Sequence, residues 1–154
     1  MNLTEFFTKA SLEKYAGGKG ETDSQRHGFK ELEYKESDWY YRDSYTGFFR
    51  SWGQTVIYEK DQPVWIHLYG GGMEPEHKDD KDFAIQTFLF LKKALTEGLK
   101  QKGFRPRGPD DFKYDKWEYA CAWEGTIEKF FGSEKISFKG KVVFTHDFLG
   151  GLIV

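Results

Sequence analysis

The sequence predicts an α+β domain: a mainly antiparallel sheet of about seven strands, an N-terminal helix, and one long helix between strands four and five. Three observations predict it. Apolar residues recur at helical spacing in two stretches, one at the start of the chain and one in its middle. Elsewhere the period falls to two, the mark of strands. Those strands cluster four and then three, rather than alternating with helices as a parallel sheet requires.

Leu3, Phe6, Phe7, Ala10 and Lys14 fall on one helix face. Asn2 followed by Glu5 fits a capping box, and Gly17-Gly18 a stop, so residues 3–16 are expected to be helical. Residues 17–28 read as a flexible loop. Strands are expected near 30–36, 38–47, 53–60 and 63–70, with Glu59 to Pro63 as the clearest hairpin connection. The glycine-rich, charged run 70–81 reads as a loop. Residues 82–102 return to helical period, with Asp82 as N-cap and Gly103 as the stop. Ala84, Phe88, Leu91, Leu95 and Leu99 form its stripe, widened by Ile85 and Leu89. Pro106 and Pro109 make 104–112 a loop, and three more strands follow near 115–124, 127–138 and 141–148.

The length of 154 residues matches one domain, 1–154, and allows a sizeable core. Aromatic residues make up 19% of the chain, so that core is built from few, large side chains. A net charge of −2 with interspersed signs gives no footprint for direct nucleic-acid binding. The basic stretch Lys92, Lys93, Lys100, Lys102, Arg105 and Arg107 reads as the solvated face of a helix and its exit. A single cysteine, Cys121, excludes an internal disulfide. There is no signal peptide and no run long enough to span a membrane, so the cytoplasm is the expected location.

Each strand carries two residue lists, one per face. In 63–70, Val64, Ile66 and Leu68 form the aliphatic list, expected under the helices; Trp65, His67 and Tyr69 have polar tips and suit a wet cavity. Asp43 shares a face with Trp39, Tyr41 and Tyr45. A carboxylate there should be hydrogen-bonded by a tyrosine, salt-bridged or open to a cavity, because burying it alone is costly. Trp117, Tyr119, Cys121 and Trp123 share another face, with Glu118 and Glu124 opposite. His146, between Phe144 and Phe148 on one face, reads as a core histidine. The expected ligand-binding set is therefore Asp43, Tyr45, Trp65, His67, Tyr69, Trp123 and Glu124, with the rings stacking and the acids pairing with a polar group.

Signatures of chemistry are weak. Cys121 on an aromatic strand face is an inert thiol, and no serine sits in a nucleophile elbow. Gly17-Gly18-Lys19-Gly20 follows a helix rather than opening one, so it is not a phosphate loop. His67, His77 and His146 match no compact metal motif, and the acidic loop around Glu74 to Asp82 lacks the order of a calcium loop. No catalytic residue, metal or cofactor is assigned.

Lys14-Tyr15-Ala16-Gly17-Gly18, Leu32-Glu33-Tyr34 and the run Tyr41 to Gly47 resemble an uncharacterised bacterial family of unknown function. So do Pro63-Val64-Trp65, Tyr69-Gly70, Gly108-Pro109, Glu124-Gly125, Phe131-Gly132 and Gly150 to Ile153. The resemblance implies a domain that stands alone or follows the Xre-type helix-turn-helix unit of transcriptional regulators, and it brings no catalytic residues. It favours a small-molecule sensor. The leading expectation is thus a small-molecule-binding or sensor-like domain. The alternative is a protein-interaction or self-association module, to which a homo-oligomer belongs, and an enzyme ranks below both.

Overall fold

A computed structural model describes residues 1–17 and 21–154. The glycine-lysine stretch rejected as a phosphate loop, at 18–20, and part of the loop expected at 17–28 lie outside the described residues. Helix α1 spans Leu3–Gly17 and helix α2 spans Lys81–Leu99. The strands are β1 (Glu21–Thr22), β2 (Lys30–Glu36), β3 (Trp39–Gly47), β4 (Arg50–Glu59) and β5 (Gln62–Met73) before α2. After it come β6 (Asp111–Tyr114), β7 (Trp117–Thr126), β8 (Lys129–Phe138) and β9 (Lys141–Leu152). All neighbours pair antiparallel in one sheet of order β1-β2-β3-β4-β5-β9-β8-β7-β6. Two meanders meet at the central β5–β9 pair, and α2 carries the chain from one to the other. No described helix is long and apolar enough to cross a membrane.

The expectation of about seven strands is corrected to nine. The additional β1 and β6 hold two and four residues, too few to establish a period. Because β1 counts as a strand, α2 follows the fifth strand rather than the fourth. β5 also runs on through Gly70-Gly71-Gly72 to Met73, where a loop was expected. Gly71 has φ +132° and lies so close to β9 that a Cβ would meet the Thr145 carbonyl oxygen at 2.2 Å.

At α1 the capping box is present: Glu5 N donates to Asn2 Oδ1 at 3.0 Å, and Asn2 N donates to the Glu5 carboxylate at 2.9 Å. α2 begins earlier than expected, because Asp80 rather than Asp82 caps it, accepting from Phe83 N at 3.0 Å.

Both helices cover the same face of the sheet. Phe6, Phe7 and Ala10 of α1 and Ala84, Phe90 and Ala94 of α2 pack into one core with Tyr41, Ile57 and Trp65. Tyr119, Phe130, Ile136, Phe144 and Phe148 complete it from the second meander. The covered face is therefore built from the list holding Trp65, His67 and Tyr69. This reverses the expectation that the aliphatic list would be covered; Leu68 is instead exposed on the outer face. Period two separates the lists but does not say which is covered. Here large rings fill the space beneath two helices, and the charged groups among them pair with one another.

Candidate functional site

A cavity of about 350 Å³ lies between the helices and the covered face. Lys14 and Tyr15 enter it from α1, and Phe88, Leu91, Lys92 and Leu95 from α2. Its floor is Leu32, Tyr45, Ser51, Tyr69 and His146, and Arg107 closes it from the segment after α2. Glu21 and Lys92, both exposed, sit at its mouth. A second hollow of about 300 Å³ shares Tyr45, Ser51, Phe88, Leu91, Lys92 and His146 and extends the space toward Phe48 and Phe144.

Sheet register explains the polar floor. Asp43, Thr55 and His67 are direct partners across β3, β4 and β5, so their side chains form one row. Thr55 Oγ1 donates to Asp43 at 2.7 Å, and the Tyr69 hydroxyl donates to the same carboxylate at 2.9 Å. Tyr69 reaches it by lying across Gly53, where a Cβ would meet the tyrosine oxygen at 2.6 Å. The third partner comes from α1: Lys14, last on the helix stripe, places Nζ 2.8 Å from Asp43 Oδ2. Burial lowers the Lys14 pKa, but Asp43 together with the oxygens of Tyr41, Tyr69 and Tyr15 outweighs it and holds the ammonium well above its usual range. Burial and the Asp43 charge push the Tyr69 phenol well up, so it remains a donor.

A second buried cluster stands two rows along the same face, beyond the row of Tyr69. Gly71, His146 and Glu134 are direct partners across β5, β9 and β8. Glu134 accepts from Arg107 Nε at 2.8 Å and from Nη2, and from the Tyr119 hydroxyl at 2.5 Å. His146 Nδ1 lies 3.1 Å from its Oε1. Burial pushes the Glu134 carboxyl up, yet Arg107 and His146 prevail and hold it at about 2. For His146 burial wins and lowers the pKa, leaving the ring neutral. The same Nδ1 lies 3.4 Å from Arg107 Nη2, while Nε2, on the opposite ring edge, is buried and without a partner among the described residues. Tyr69 links the two clusters, with Lys14 Nζ 5.7 Å and the Arg107 guanidinium 5.6 Å from its ring centre.

Of the residues expected at a ligand site, Tyr45 and Tyr69 line the cavity. Asp43, fully enclosed, stands behind it and meets its charge requirement as anticipated, by a tyrosine and a salt bridge. Trp65 is core, with 0% exposure and its indole N–H donating to Ile127 O at 2.9 Å. His67 is 3% exposed and packs edge-on against Trp65, Tyr69, Phe130 and Phe148. Trp123 is half-buried against Phe104, away from the cavity, and Glu124 is exposed on the outer face. Sequence reasoning missed Lys14, Arg107, Glu134 and His146 as members of the site. Arg107 is corrected most sharply: expected in solvent, it is 7% exposed. Its signal lay across the chain, since Glu134 shares a strand face with Phe130 and Ile136 and needs a buried cation. Cys121 is buried, which pushes its thiol up to about 11, away from nucleophilic use. Among the described residues no group of three His, Cys, Asp or Glu side chains is placed to hold a metal ion.

Fold and site together define an α+β domain with a one-sided helical cover and a cavity backed by two buried ion pairs. Residues 43–153 match the family described as a domain of unknown function, DUF5680, and the chain belongs to that family. No curated protein and no solved structure matches the chain. Tyr45, Tyr69, Arg107 and His146 fall within the matched segment, whereas Lys14 and Leu32 precede it.

Proposed function

We propose that the chain is a small-molecule-binding, sensor-like domain whose ligand occupies the cavity between α2 and the sheet. The observation that carries this reading is the cavity itself: about 350 Å³, apolar on the α2 side, with Lys14, Arg107 and Tyr69 on its polar side. Ligand sites of small proteins are commonly concave, mostly apolar and furnished with a few convergent polar groups. The resemblance to the non-DNA half of helix-turn-helix regulators agrees with a sensing role. The expected ligand set is revised accordingly: Tyr45 and Tyr69 stay as contacts, while Trp65, His67 and Asp43 support the floor.

A thermal-shift screen of a metabolite library tests the reading. A ligand at 100 times its Kd stabilises the fold by about 2.7 kcal/mol, a rise of several degrees for a chain of this size. Leu91→Trp, which fills the cavity from α2, is expected to abolish the shift while the chain remains folded by circular dichroism. A hit that survives this substitution places the ligand elsewhere and ends the proposal.

A second reading, self-association, is favoured by one observation. Leu68, Leu149 and Phe131 lie in register on the outer face with exposures of 38%, 55% and 54%. Nearby Trp52 is 62% exposed. Such apolar patches mark interaction surfaces.

A further inference from the structure

We infer that the cavity selects a small carboxylate monoanion with a flat apolar body, its carboxylate held between Lys14 and Arg107 over the edge of Tyr69. This rests on the ligand-binding reading above and gives that ligand a chemical class. The case is electrostatic geometry. Lys14 and Arg107 line the cavity, whereas their counter-ions Asp43 and Glu134 are enclosed behind them and do not. Each buried ion pair is thus a dipole that turns its positive end to the cavity, in a region where charge is screened weakly. With Lys92 at the mouth, the lining carries three cations and one acid, Glu21.

Hydrogen-bonding capacity points the same way. Lys14 spends one of three protons on Asp43, and Arg107 Nη1 has no partner among the described residues. The polar groups presented are mainly donors, which an acceptor-only group satisfies. A carboxylate takes bonds from an ammonium and a guanidinium together, whereas an amine would meet like charge at both ends. Because Asp43 and Glu134 already compensate the two inner cations, one added negative charge fits better than two. The body of the ligand would lie between Phe88, Leu91 and Leu95 of α2 and the ring of Tyr45, a slot between aliphatic and aromatic surfaces.

The test is calorimetry on the whole chain with matched probes: the acetic acid, the acetamide and the ethylamine of benzene, indole and naphthalene. At pH 7 at least one carboxylate is expected to bind about tenfold or more tightly than its amide, and the amines least. Lys14→Gln combined with Asp43→Asn removes one inner cation without orphaning its acid. It should weaken the carboxylate about fivefold or more and narrow its advantage over the neutral amide, a split that general damage to the fold would not produce. Equal or tighter binding of an amide or amine, abolished by Leu91→Trp, overturns the carboxylate assignment and leaves the cavity reading standing. Absence of binding by every probe, together with an empty metabolite screen, overturns both.

Discussion

Asp43 and Glu134 are enclosed carboxylates, and their stability rests on cations delivered from distant parts of the chain. Removing one partner of such a pair typically costs roughly 3–5 kcal/mol, because the other charge stays buried and unpaired. Glu134→Gln strands Arg107 and should fall in that range by urea unfolding, whereas Glu134→Gln with Arg107→Met should recover much of the loss. The pH dependence follows from the depressed carboxyl. Glu134 is held at about 2 against an ordinary 4.5. Its stabilisation is therefore complete above about pH 4.5 and is lost as pH falls toward 2, so wild type and E134Q should converge in stability across that window. His67 behaves differently. Burial, then Arg107 and Lys14, lower its pKa well below 6.5, and its Nε2 has no partner among the described residues. An unfolded chain takes up a proton below pH 6.5 that the folded ring refuses, so this residue costs up to about 1.4 kcal/mol per pH unit there. His67→Met, similar in volume and apolar, should stabilise by about 1 kcal/mol at pH 7 and flatten that acid slope. The need of Asp43 for partners was legible from its aromatic neighbours alone. The identity of Lys14 as partner was not, since 29 residues separate them.

Helix α2 shows where periodicity stops informing. Its stripe was legible, yet Phe90 and Thr87 are buried while Ile85 and Leu89, expected to widen it, are 40% and 57% exposed. The helix is turned by its own contacts: Phe90 stacks on Phe112 and Trp117 of the second meander, at 5.7 and 5.5 Å between centres. That rotation brings Phe88 and Leu91 to the edge of the core, where they become cavity wall rather than filling. It also fixes Gly98 against the following segment. A Cβ there would lie 2.7 Å from the Gly108 Cα and 2.8 Å from the Arg107 carbonyl oxygen, both backbone atoms that cannot step aside. An alanine normally gains about 1 kcal/mol over glycine within a helix. At this position overpacking, typically about 1–3 kcal/mol, should win, and it should displace the Arg107 segment from Glu134. Gly98→Ala is therefore expected to lower stability and to weaken cavity ligands, while Gly103→Ala, beside which nothing lies within 4 Å, tests only the left-handed backbone there. Loss of binding in both variants alike would remove the link between α2 packing and the site.

The two faces of the sheet have opposite burdens, and neither was assigned by pattern alone. Both lists of β5 are apolar enough to be covered, so the choice depended on where two helices dock, which is a property of the assembled fold. The outcome leaves the row Leu68, Leu149 and Phe131 facing outward across β5, β9 and β8. The apolar surface lies on this face rather than at the sheet edges, where β1 and β6 hold two and four residues. Any self-association of this molecule should then use the outer face and leave the cavity on the other side free. Phe131 pairs directly with Glu124, so Phe131→Lys sets opposite charges across β7 and β8, which contributes about 0.2–1 kcal/mol. Phe131→Lys with Leu149→Lys should consequently keep the melting temperature within a few degrees and convert a concentration-dependent mass in light scattering to that of one chain. Carboxylate probes should bind this variant with unchanged affinity. If their affinity falls with the loss of association, the faces are coupled through the sheet, and the separation of binding and assembly between its two sides does not hold.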